Sequence, residues 1–237
     1  MKIAVILHLY YHDLWDEFSQ ELTNFGEQPF DLYVSLVDGS YSPEQQQLMR
    51  KKITSQYPGA LVFMAENKGL DIGSFLQVIN YFFSFGKEYD LILKLHSKKS
   101  IHSCGAQQGT SWRHELYRPL LENIPGLLHF LEKNQQIGMV GSRHHIYDFE
   151  GLNRPAITDL ENLLNLEVPN RIFVGGTMFW IRHAALKKYL NPVNIATITS
   201  KLETGYFTDE TVPRYTHAME RIFGYMVSGQ HQQIAGI

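Results

Sequence analysis

The stretch Tyr89–Ser100, Y-D-L-I-L-K-L-H-S-K-K-S, constrains this chain more than any other. Tyr89-Asp90-Leu91-Ile92-Leu93 is a short apolar run of the kind that forms a fully buried strand. The chain then turns cationic, with Lys94, His96, Lys98 and Lys99 within six positions. Side chains alternate along a strand, so Lys94, His96 and Lys98 share a face. A face of cations at the carboxyl end of a buried strand costs free energy unless an anion lies there. In α/β folds that end borders the ligand crevice. The plainer alternative is a set of solvated lysines at a strand exit.

The chain ahead of this stretch repeats one pattern. Strands are predicted at Lys2–Leu9, Asp31–Val37 and Ala60–Met64. Helices are predicted at Leu14–Phe25, Pro43–Gln56 (with Ser42 as N-cap) and Ile72–Phe85. Alternating strands and helices predict an α/β fold with a mostly parallel, Rossmann-type sheet and helices on both faces. Further on, Ser111–Leu131 reads as helical with interruptions near Pro119 and Pro125, and Ile137–Gly141 as a strand. His144–Pro169 reads as an irregular or helical excursion. Phe173–Arg182 reads as one strand whose Gly175-Gly176 pair lets a backbone or ligand come close. Thr211–Val227 reads as a helix with Val212, Tyr215, Met219, Ile222 and Met226 as its core stripe. With no repeat, low-complexity tract or linker, residues 1–237 are expected to form a single domain.

A net charge of −3 argues against a nucleic-acid binder, and the cations are local, which suits a small anionic ligand. A single cysteine, Cys104, excludes an intramolecular disulfide and a cysteine-based zinc cluster. The N-terminal apolar run is followed by His8, His12 and Asp13 without a cleavage-site pattern, so it reads as a strand rather than a signal peptide. No stretch reaches the roughly 20 apolar residues of a membrane span. The expected location is the cytoplasm, with peripheral association at the inner face of a membrane allowed.

Three constellations can carry chemistry. Asp38 closes the second predicted strand before Gly39, where an acid can accept hydrogen bonds from a ribose or a base, or can simply open a turn. Asn67, Lys68 and Asp71 lie between a strand end and a helix start, on the ligand side; Asp71 can equally be a helix cap. Neither a dinucleotide nor a P-loop fingerprint is present. Asp209, Glu210, Arg214, His217, Glu220 and Arg221 cluster around the last helix. A carboxylate at a helix start beside a cleft is a natural general base, while the same set can be a solvated face. The eleven histidines include no H-E-x-x-H or H-x-H-x-D pattern, and there is no G-x-S-x-G elbow.

Four blocks taken together, E-N-K-G-L-D-I-G-S-F, Y-D-L-I-L-K-L-H-S-K-K-S, F-V-G-G-T-M-F-W-I-R and T-D-E-T-V-P-R-Y-T-H-A-M-E-R-I-F-G-Y, resemble the rhamnan-synthesis protein F family. The family pattern has Asn-Arg-Gly-Arg-Asp where this chain has Asn67-Lys68-Gly69-Leu70-Asp71, and Asp-Gly-Thr where it has Asp209-Glu210-Thr211. The resemblance implies a bacterial glycosyltransferase of GT-A type, moving a sugar with inversion from a nucleotide donor, typically dTDP-L-rhamnose, to a glycan or lipid-linked glycan. It implies that Asp38, Asn67, Lys68 and Asp71 hold the donor and that Asp209 is the base, with Glu220 and His217 as weaker candidates. Where many GT-A enzymes carry Asp-x-Asp for a metal, this chain has Lys94-Leu95-His96, then Lys98 and Lys99. The expectation is therefore that cations meet the diphosphate without a divalent metal; Mg²⁺ or Mn²⁺ held mainly by phosphate oxygens is the alternative. The rival enzyme reading is a nucleotidyltransferase, against which the missing Gly-rich loop near residue 10 counts. The non-enzyme rival is a carbohydrate-binding module.

Overall fold

The computed structural model describes residues 1–97, 99, 106–205 and 212–237, the side chains of 106–110 excepted. Lys98, Asp209, Glu210 and Thr211 lie outside the described residues. The first half is the expected alternation: β1 (Ile3–Leu9), α1 (Trp15–Leu22), β2 (Asp31–Val37), α2 (Pro43–Gln56), β3 (Leu61–Ala65), α3 (Leu70–Ser84) and β4 (Leu91–His96). Then come α4 (Ala106–Glu122), α5 (Ile124–Lys133), β5 (Ile137–Gly141), β6 (Ile146–Tyr147), α6 (Arg154–Leu164), β7 (Phe173–Val174) and β8 (Phe179–Arg182). The chain closes with α7 (His183–Lys187), α8 (Pro192–Lys201), α9 (Tyr215–Ser228) and β9 (Gln233–Gly236).

Among the described residues, seven strands form one sheet in the order β3-β2-β1-β4-β8-β5-β9, while β6 and β7 pair separately. Strands β1 to β4 are parallel, β8 runs antiparallel between β4 and β5, and β9 is parallel to β5. The sheet is mixed and mostly parallel. Alternation sends Ala4, Ile6, Ile92 and Phe179 to one face, against α3, α6, α8 and α9. It sends Val5, Leu7, Leu93, Leu95 and Trp180 to the other, against α1, α4 and α5. From β1 the chain steps outward through β2 to β3 and returns to place β4 on the other side of β1. The carboxyl ends of β1 and β4 thus flank a topological switch point, where open α/β sheets take ligands.

Several expectations need correction. Phe173–Arg182 is not one strand: Gly175–Met178 turns, so β7 leaves the main sheet to pair with β6 before β8 enters it. Pro119 lies inside α4, and the break falls instead at Asn123, whose side chain caps α5 by accepting from the Gly126 N–H at 3.1 Å. Val212 lies ahead of α9 and is exposed, so it is no part of a core stripe. Met219, Ile222 and Met226 are buried, but so is the whole circumference from Arg221 to Ser228. The helix is covered by the sheet on one side and by β7 on the other, where a Cβ on Gly224 would stand 2.8 Å from Phe173 Cα. Among the described residues no helix is long and apolar enough to cross a membrane.

Candidate functional site

Strand β4 carries Lys94 on the α3 face, beside Ile6 of β1 and Phe179 of β8. Only 1% of Lys94 is exposed, so its ammonium needs internal partners. It donates to the Asp71 carboxylate, to the Thr177 carbonyl at 2.9 Å and to the Thr177 hydroxyl at 3.2 Å. Those three acceptors match the three hydrogens of an ammonium. The Thr177 hydroxyl in turn donates to Asp71 at 2.6 Å. Burial alone would raise the Asp71 carboxyl; the Lys94 and His96 charges, with hydrogen bonds from Lys94 and Thr177, overcome it and hold the group well below the usual range. Asp71 is not the N-cap of α3, a position that Gly69 occupies. It points from the first turn of that helix into the sheet. The anion beside the buried cation of β4 is thus one of the protein's own.

His96, two residues on, lies 2.7 Å through Nε2 from the Gly176 carbonyl, so that nitrogen carries the hydrogen. Its register neighbour is His8 of β1. His8 Nδ1 sits between Ser74 Oγ of α3 at 2.8 Å and Ser35 Oγ of β2 at 3.1 Å. Burial pushes this imidazole down to about 4, with Asp71 opposing and Lys94 reinforcing the shift. A row of polar side chains therefore crosses β4, β1 and β2 beneath the start of α3.

These groups converge on the turn Gly175-Gly176-Thr177. Gly175 N–H donates to the His145 carbonyl at 2.8 Å, and Gly176 N–H donates to Glu220 Oε1 of α9 at 2.7 Å. Gly176 has φ +76°, and a Cβ there would stand 2.6 Å from Leu116 Cδ2, so only glycine fits. Thr177 has φ +52°, a conformation that a β-branched residue adopts only when its surroundings compel it. Lys94 and Asp71 supply that compulsion. Glu220 also accepts from Arg221 Nη1 at 2.7 Å, so both of its oxygens bind inside the protein. His217, half-buried on the same helix, gives its carbonyl to Arg221 at 2.8 Å.

The remaining sequence-derived residues sit along the edge formed by the strands' carboxyl ends. Asp38 is exposed beyond β2, with its N–H on the Ala65 carbonyl at 2.8 Å. Asn67 and Lys68 are half-buried beyond β3, in a turn that pairs with the segment before α9. Gly69 N–H donates to the Glu203 carbonyl at 2.6 Å, and Gly205 N–H to the Asn67 carbonyl at 2.7 Å. Gly205 precedes Asp209 by four residues in sequence. Lys99 lies beyond β4, paired with Asp13 and 4.9 Å above the Tyr11 ring. Tyr10 and Tyr11 are half-buried beyond β1, and His12 stacks on Tyr41 at 3.7 Å between ring centres.

Sequence reasoning missed Thr177, His8, Ser74 and Glu203. Thr177 follows the Gly-Gly pair that already signalled a close approach, and His8 stood in view at the end of the first strand. Glu203 carried no local signal. Its carboxylate takes the N–H groups of Tyr215 and Thr216 at 2.7 and 3.0 Å, serving α9 as a cap supplied from outside the helix. Among the described residues no group of three or more His, Cys, Asp or Glu side chains is arranged to hold a metal ion.

Comparison with known proteins returns a family match over residues 1–232, to the model described as rhamnan synthesis protein F. Two curated relatives are 27% identical over 241 residues, covering 99% of this chain and 32% of theirs. Both are described as uncharacterized protein WxcX, from two strains of Xanthomonas campestris pv. campestris. The chain thus spans about a third of the length of these relatives.

Proposed function

The chain belongs to the rhamnan synthesis protein F family, and from that premise we propose that it is a glycosyltransferase of polysaccharide synthesis. In this reading the domain is GT-A-like, and its donor is a nucleotide-activated sugar, dTDP-L-rhamnose first among the candidates. The observation that carries the reading is the crowding of its polar motifs at one place. Asp38, Asn67, Lys68, His96 and Lys99 all sit at or just beyond the carboxyl ends of strands β1 to β4, around the switch point.

The chemistry assigns three tasks. Asp38 and the Asn67-Lys68 turn face the nucleotide. Lys99 and Lys98 provide the positive field in which the leaving diphosphate collects its charge. Lys94, Asp71 and His96 act one step behind, fixing the Gly176–Thr177 turn against which the donor sugar rests. Asp209 takes the proton from an acceptor hydroxyl. That oxygen bonds to the sugar's anomeric carbon on the face opposite the diphosphate. The bond from the anomeric carbon to the phosphate oxygen breaks with its electron pair on the diphosphate, so the configuration inverts. Glu220 and His217 are weaker candidates for the base, since both carboxylate oxygens of Glu220 already bind Gly176 and Arg221.

Release of nucleoside diphosphate from a panel of nucleotide sugars tests this. Turnover of one donor, dTDP-L-rhamnose above the others, supports the transferase, and the same turnover is expected in EDTA. Activity that vanishes with chelator and returns with Mg²⁺ or Mn²⁺ would overturn the metal-free mechanism. Silence across the panel, with glycan binding intact, would make the chain a carbohydrate-binding module of a longer protein.

A further inference from the structure

Beyond the β4 end, on the side away from Asp38, the β6–β7 ribbon presents a group of rings that the donor site does not use. The register sets Tyr147 opposite Phe173 and Ile146 opposite Val174. Tyr147, Phe149 and Phe173 form a triangle with ring centres 5.4 to 5.8 Å apart. Phe173 is buried at its base, whereas Phe149 is 54% exposed. Arg221 is buried beneath them, 4.5 Å from the Phe173 ring centre and 5.5 Å from that of Phe149. Its guanidinium is tied to Glu220 and to the His217 carbonyl, so the rings rest on a fixed base.

Polar groups border the same rings. The Tyr147 hydroxyl lies 3.1 Å from His145 Nδ1, and His145 Nε2 lies 3.6 Å from the Glu115 carboxylate, which is 53% exposed. His145 is itself 93% buried, and Nε2 makes no hydrogen bond within the usual distance. Its nearest acidic partner is therefore both loose and open to solvent. Tyr147 packs against Gly175, where a Cβ would stand 2.5 Å from its Cε2. The shelf is thereby continuous with the Gly175–Thr177 turn.

We propose, resting on the transferase reading, that this shelf is the subsite for the acceptor: a neutral glycan whose terminal pyranose lies on Tyr147 and Phe149 with its hydroxyls toward Glu115. A pyranose has an apolar C–H face and a rim of hydroxyls. A pair of rings bordered by a carboxylate and a phenol answers both. A 6-deoxy sugar, as a rhamnan contains, adds a methyl group to the apolar face. An acyl chain would set the Glu115 carboxylate against an apolar surface.

The test reads glycan binding without turnover. Saturation-transfer NMR with a rhamnose trisaccharide is recorded on the wild type, Phe149→Ala and Glu115→Gln, with dTDP affinity by calorimetry reporting that each fold is intact. The wild type is expected to bind, Phe149→Ala to lose about tenfold in affinity, and Glu115→Gln to lose less. Equal binding by Phe149→Ala, or no trisaccharide signal from the wild type, overturns the proposal. So does a wild-type dimer that Phe149→Ala converts to monomer in sedimentation, because the shelf would then be an interface between copies. A wild type that binds the glycan on these rings but never transfers sugar refutes the transferase reading and leaves the shelf standing.

Discussion

At the scale of single residues, Lys94 and Asp71 hold each other in place. They form a salt bridge under cover, and both brace a threonine in a left-handed conformation. Lys94→Met leaves the Asp71 carboxylate under cover without its counter-ion, an arrangement that costs about 3–5 kcal/mol. Adding Asp71→Asn to that variant removes the stranded charge and is expected to restore part of the loss. Urea unfolding of the wild type, the single and the double variant measures both steps. A single variant within about 1 kcal/mol of wild type would mean that the pair carries no such weight. His8 provides a second residue-scale test, through pH. Its folded value of about 4 lies below the roughly 6.5 of an unfolded histidine. Between those values only the unfolded chain takes up the proton, so stability falls as pH drops from about 6.5, by about 1.4 kcal/mol per unit for this group. His183, also pushed down to about 4 by burial, acts with the same sign. Below about pH 5 the unfolded form of Asp71 adds to the loss, so pH 5 to 7 isolates the histidines. His8→Asn is expected to flatten the slope over that range. An unchanged slope would show that His8 is not the group titrating.

At the scale of elements, α9 begins without a cap of its own, because Arg214 makes no side-chain bond there. Glu203 supplies the cap, although burial raises its carboxyl; the Thr216 and Tyr215 hydrogen bonds overcome this and lower it. Its own carbonyl holds Gly69, so one residue ties the donor-side turn to the start of the last helix. Glu203→Ala is expected to cost about 0.5–2 kcal/mol in urea unfolding, as loss of an N-cap does. Hydrogen exchange should quicken at Tyr215 and Thr216 while the α3 interior stays protected. Uniform quickening would argue against a local cap. This scale also separates what the sequence discloses from what it hides. Strands β1 to β4 were legible because each is an apolar run bounded by polar turns. Strand β9 reads Gln233-Ile234-Ala235-Gly236 and has no such signature; its conformation comes from pairing with β5. The Val174 and Phe179 flanks made one strand out of two, although Gly175-Gly176 stood between them. Asn191-Pro192, followed by Asn194, announces α8 through a capping box. The Lys94–Asp71 pair spans 23 residues and two elements, and no local period reveals it.

At the scale of the whole molecule, the sheet gathers nearly all its polar candidates on one edge. The strand order brings Asp38, Asn67, Lys68 and Lys99 to the carboxyl ends of β2, β3 and β4. The reversed β8 then returns Gly176 and Thr177 to the same edge from the other half of the chain. The acidic pair Asp209-Glu210 and Lys98 fall outside the described residues, so their part rests on the sequence motif. The chain belongs to the rhamnan synthesis protein F family, and the proposed sugar transfer is the claim that joins edge, turn and shelf. Its most direct test is NMR of the product formed from dTDP-L-rhamnose and a rhamnose-terminated acceptor. The wild type is expected to form a new glycosidic linkage with inverted anomeric configuration. Asp209→Asn is expected to form it at least about 10²-fold more slowly while still binding dTDP. A wild type that leaves both donor and acceptor unchanged, or a product that retains the donor's configuration, would contradict the account.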